Sequence, residues 1–120
     1  MKLIKRNLLL IIIILVSMPF QLLASNVSFL KYAVISDFSE ADIEKLKQEY
    51  ITVLKRNKPG DVTKWKNTET QNGGDITVIK QYRHNDNNCK RLMFKNRSKN
   101  QSATSYFNFC LIDQQWRLVE

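Results

Sequence analysis

Cys89 and Cys110 are the only cysteines in the chain, and they bracket the stretch CKRLMFKNRSKNQSATSYFNFC, which is crowded with lysine, arginine and aromatic residues. Two thiols at that spacing suit three chemistries: a structural disulfide, a redox dithiol, or part of a metal site. The redox reading lacks a CxxC spacing and a helix N-terminus beside either sulfur to lower its pKa. The metal reading falls short on ligands, because two cysteines and the single His84 do not make a structural zinc site. His84 stands two positions from Asp86, but a general base needs a nucleophile or metal in reach, and HNDNN has the composition of a turn. Glu69 and Asp75 lie in or beside a loop of ordinary hairpin composition, NTETQNGG, rather than in a carboxylate pair. No P-loop, GxSxG, HExxH or calcium-loop pattern occurs. These residues imply no enzyme, no catalytic residue, no metal and no cofactor.

The elements that position these groups can be read from the residue pattern. DFSEADIEKLKQEYITVLKRNKPG carries a helix signal, with Asp37 or Ser39 to cap it and Glu40, Asp42 and Glu44 in the first turn, where the helix dipole favours carboxylates. Ile43, Leu46, Tyr50 and Val53 then fall on one face, and Lys55, Arg56, Lys58, Pro59 and Gly60 mark the end. Upstream, VSFLKYAVI (27–35) reads as an extended segment. From Asp61 the pattern changes to five strands, 62–66, 76–84, 89–97, 102–112 and 115–120, separated by turn-forming clusters rich in Asn, Asp and Gly. Sequential strands on short turns give an antiparallel meander. The expected fold class is α+β, one helix packed on a four- to five-stranded antiparallel β-meander.

If SKNQ (98–101) turns the chain between the third and fourth strands, Cys89 faces Cys110, Arg91 faces Asn108, Met93 faces Tyr106 and Lys95 faces Thr104. The same register gathers Leu92, Phe94, Phe107, Phe109 and Leu111 on the opposite face, whereas a slip of one residue splits that apolar set. Core burial and cysteine pairing therefore select one register. Opposed residues of an antiparallel pair lie within disulfide reach. Closing the loop is worth about 3 kcal/mol in the chain-entropy model. A structural disulfide Cys89–Cys110 is the expectation. Trp65 and Trp116, each on a strand beside lysine or arginine, have the chemistry for a stacking or sugar-binding role, but large aromatics in a small domain more often belong to the core, and they are assigned there.

The N-terminus points to export. Lys2, Lys5 and Arg6 precede the apolar run Leu8 to Val16, with Pro19 and a small-residue site at Ala24-Ser25 following, as in a secretory signal peptide. The apolar stretch is shorter and more interrupted than a membrane span requires. The expected organisation is a signal peptide over 1–24 and a domain over 25–120, with no transmembrane span in the mature chain. Loss of three basic residues leaves 16 against 11 acids, a net +5 rather than +8. Between Lys80 and Lys99 the imbalance is local: Lys80, Arg83, Lys90, Arg91, Lys95, Arg97 and Lys99 stand against Asp86 alone. Arg91, Lys95, Arg97, Lys99 and Tyr106 are the candidate anionic-ligand residues. Interleaved basic and aromatic groups also suit single-stranded nucleic acid. Export turns the expectation instead toward an anionic envelope component, such as lipid headgroups or envelope polymer, or toward an acidic protein. A solvated, solubilising face is the competing reading.

The succession FLKYAVISDFSEADIEKLK, VTKWKN with NGG behind it, a turn before CKR, FNFC and a terminal WRLV resembles the bacterial 17 kDa surface antigen family, the rickettsial-type outer-membrane surface antigens. The resemblance spans about residues 29–120 and rests on Trp65, Asn67, Gly73-Gly74, Cys89, Arg91, Cys110 and Trp116. The chain differs in having no N-terminal lipoprotein cysteine and no glycine-rich membrane-embedding segment, and it carries NDNN and DQQ where the family tends to place glycine in turns. The resemblance implies a non-enzymatic exported protein of the periplasm, outer membrane or cell surface, acting as a structural or interaction module.

Overall fold

The computed structural model describes residues 36–119. The signal segment (1–24) and the extended stretch (27–35) expected from the sequence lie outside the described residues. A helix, α1 (Glu40–Arg56), is followed by five strands: β1 (Val62–Lys66), β2 (Gly73–His84), β3 (Asn87–Arg97), β4 (Ser102–Ile112) and β5 (Gln115–Val119). They form one antiparallel sheet in the order β1-β2-β3-β4-β5, the expected meander with five members. Among the described residues no helix is long and apolar enough to cross a membrane.

Ser39 caps α1. Its hydroxyl accepts from Asp42 N at 3.2 Å while the Asp42 carboxylate accepts from Ser39 N at 2.8 Å, a reciprocal capping box that satisfies two N-terminal amides. Leu46, Tyr50, Val53 and Leu54 form the buried stripe of the helix. They pack against Trp65, Ile76, Val78, Leu92, Phe94 and Phe109 from one face of the sheet, with Phe107 and Trp116 at the margin. Tyr50 stacks on Phe109 with ring centroids 5.6 Å apart and meets Phe94 edge-on at 6.2 Å. Phe38, just ahead of the helix, sets its ring edge against Trp65 at 5.4 Å.

Two of the hairpins turn in two residues. Asn85 and Asp86 (φ 48° and 62°) join β2 to β3, and Asp113 and Gln114 (φ 50° and 66°) join β4 to β5. Left-handed backbone at both positions gives the twist that matches right-twisted strands. Asn and Asp accept that backbone most readily among residues with a side chain, so the polar clusters seen in the sequence act as hairpin turns. β2 and β3 extend a few residues beyond the predicted bounds, because Gly73 to Asp75 pair with Arg97 to Lys95, and Asn87 with His84.

Candidate functional site

Cys89 pairs with Cys110, Arg91 with Asn108, Met93 with Tyr106, Lys95 with Thr104 and Arg97 with Ser102, the register expected from the sequence. The cysteines are joined in a disulfide, their Cα atoms 4.0 Å apart and both residues buried. A persistent disulfide implies an oxidising compartment.

Because side chains alternate along a strand, this register fixes the face opposite α1. Leu92 and Phe94 point to the helix, so Cys89, Arg91, Met93, Lys95 and Arg97 point away from it. The pairings carry the assignment across the sheet. Tyr82 stands beside Cys89, Lys80 beside Arg91, Thr77 beside Met93 and Asp75 beside Lys95. Val62, Lys64 and Lys66 of β1 join through Thr77, Asp75 and Gly73. Arg117 of β5 pairs with Cys110. Ile79 is the extra residue of a bulge between Val78 and Lys80. The bulge restores Lys80 to the outer face after Val78 has turned into the core.

Lys64, Lys66, Lys80, Arg91, Lys95, Arg97 and Arg117 thus share one surface, with Asp75 as its single strand acid among the described residues. Asp75 is engaged, since Arg97 Nη1 donates to its carboxylate at 3.2 Å. The Arg91 guanidinium lies over the Tyr106 ring, 5.2 Å from its centroid, and Lys80 Nζ lies 4.8 Å from that of Tyr82. Both contacts pre-order a cation on a flat ring.

Of the residues picked from the sequence, Arg91, Lys95, Arg97 and Tyr106 come together here, while Lys99 sits exposed in the β3–β4 turn at the edge. Lys64, Lys66, Lys80, Tyr82 and Arg117 were not in that set. For Lys64, Lys66 and Arg117 the signal was the alternation of VTKWK and QWRLV, and for Lys80 and Tyr82 that of KQYR after the bulge at Ile79; it becomes useful only once neighbouring strands are in register.

Two basic residues of the Lys80–Lys99 segment are committed elsewhere. Arg83 ties the β2–β3 hairpin through Asn88 Oδ1 and the Asp86 carbonyl. Lys90 points toward the helix, is buried, and donates from Nζ to the carbonyls of Leu54 at 2.8 Å and Asn57 at 2.7 Å. It therefore satisfies orphan carbonyls at the negative end of α1. Burial lowers its pKa, and the Asp61 carboxylate partly opposes that shift. The Trp116 ring lies 5.5 Å below the ammonium.

Asp42 is the other buried charge. Its carboxylate accepts from Asn67 Nδ2 at 2.8 Å, Thr70 Oγ1 at 2.6 Å and Asn72 Nδ2 at 2.9 Å, in addition to Ser39 N. Burial alone pushes its pKa up; the donors from Thr70, Asn72, Ser39 and Asn67 outweigh burial and hold it at about 2. The β1–β2 loop is thereby fastened to the start of the helix, and this carboxylate is structural. His84 and Asp86 lie exposed at the β2–β3 hairpin, where Asp86 has a turn role. Among the described residues no group of three His, Cys, Asp or Glu side chains gathers in a way that could hold a metal.

No family model matches the chain, and no curated protein or solved structure shows significant similarity to it.

Proposed function

We propose that the protein is a non-enzymatic, exported cell-envelope protein, surface-antigen-like in kind, that acts as an interaction module through the sheet face opposite α1 and binds anionic envelope material there. The observation that carries this reading is the gathering of seven Lys and Arg side chains from four of the five strands around Tyr82 and Tyr106, against the single, already paired Asp75. Such a surface draws anions by its summed field. The disulfide agrees with residence in the periplasm or at the outer membrane or cell surface, and fractionation of cells followed by detection of the chain distinguishes these locations.

The test of binding is retention of the exported protein on anionic supports as salt is raised. Retention that falls with salt, and is lost in Arg91→Ala with Lys95→Ala, supports the reading. Unchanged retention in that double variant overturns it. In that outcome the charge serves solubility and the module is purely structural.

A further inference from the structure

The basic face has an internal order that narrows its partner, an inference that rests on the anion-binding reading above. In register across the sheet, Val62, Thr77, Met93 and Tyr106 form one row. Lys80 and Arg91 lie on one side of that row, with Arg117 further along; Lys64 and Lys95 lie on the other, with Lys66 and Arg97 beyond. Ile79, at the bulge, adds to the apolar row on the Lys80 side. Four large hydrophobic residues stand out as exposed among the described residues: Val62 (53%), Tyr106 (48%), Leu118 (42%) and Ile79 (41%). Three of the four are in or beside this row. Strand geometry sets the scale. Arg91 and Lys95 are about 13 Å apart along β3, and five strands span about 19 Å.

We propose that this face docks flat on an anionic lipid membrane, with the apolar row seated among the headgroups and the two cationic rows on the lipid phosphates. A soluble polyanion requires cations but has no use for exposed Val62 and Ile79 between them. A bilayer surface offers phosphates in a plane with apolar matter just beneath, which matches a central apolar row bordered by charge. Tyr82 and Tyr106 bring an apolar ring and a polar hydroxyl, the combination favoured at headgroup depth.

The experiment is sedimentation of the exported protein with phosphatidylcholine vesicles, with and without phosphatidylglycerol, alongside retention on immobilised dextran sulfate. Binding is expected to the vesicles that carry phosphatidylglycerol and not to neutral ones. Val62→Ser with Ile79→Ser, both at exposed positions, is expected to weaken vesicle binding about tenfold, the equivalent of one to two partly buried aliphatic side chains, and to leave dextran sulfate retention unchanged. Arg91→Ala with Lys95→Ala weakens both, about fivefold or more per charge at the vesicle. Dextran sulfate binding without vesicle binding overturns the membrane proposal, as does vesicle binding that ignores the Val62 and Ile79 changes; the anion-binding reading survives either result. Binding to neither, or indifference of both to the arginine and lysine changes, overturns the two together. Thermal unfolding of each variant checks that the fold is intact.

Discussion

Two buried charges show how single side chains join the helix to the sheet. Asp42 holds four donors, and its lowered pKa converts directly into stability. The folded value lies below the ordinary 3.8, so this contribution is fully present above about pH 4 to 5 and is lost as the pH falls through the folded value near 2. Asp42→Asn is expected to cost about 2 kcal/mol at neutral pH and to flatten the acid limb of stability, both readable by urea unfolding from pH 7 to pH 2. Lys90→Met keeps the aliphatic stem but leaves the Leu54 and Asn57 carbonyls without their donor. A loss of about 1 to 3 kcal/mol is expected, seen as a lower unfolding midpoint, with amide exchange quickening first in the last turn of α1. Neither role was legible in the sequence. Asp42 looks like any first-turn carboxylate, and its partners at Asn67, Thr70 and Asn72 lie in a loop whose folding back is a tertiary fact. Lys90 sits in a basic run, and the core side of its alternation is occupied by a residue that sequence patterns assign to solvent.

At the scale of elements, local signals and core burial agreed, and there the sequence was informative. Ser39, the Ile43 to Val53 spacing and the basic last turn specify α1 before any packing is considered. Leu92, Phe94, Phe107 and Phe109 specify one β3–β4 register, and the cysteines fall into place with it. Replacing both cysteines by alanine is expected to lower stability by about 3 kcal/mol while the hairpin register persists, which cross-strand nuclear Overhauser contacts between Met93 and Tyr106 would report. Close approach matters at Gly74, across from Trp65. A Cβ there would meet the Lys95 carbonyl and come within 2.9 Å of Trp65 Nε1, so Gly74→Ala is expected to cost more than about 2 kcal/mol in denaturant unfolding. Gln114 is the opposite case. It holds φ at 66° with a full side chain, and Gln114→Gly is expected to raise stability by up to about 1 kcal/mol.

For the whole molecule the division is between two faces of one sheet. One is closed by α1, and the other carries the charge. The sequence indicated a basic hairpin; the sheet widened it into a surface by adding β1 and β5, whose lysines and arginine are far from the hairpin in the chain. Raising salt should weaken binding to anionic supports steadily, with a shallower dependence after Lys64→Gln with Lys66→Gln, residues at the rim of the face. The meander has a consequence for assembly. Every strand pairs only with its neighbours in sequence, so each hairpin can close as its second strand arrives, and the cysteines meet once β4 has followed β3. A chain delivered N-terminus first need hold no strand waiting for a distant partner. The interval in which unpaired edges are open to other chains is thereby kept short.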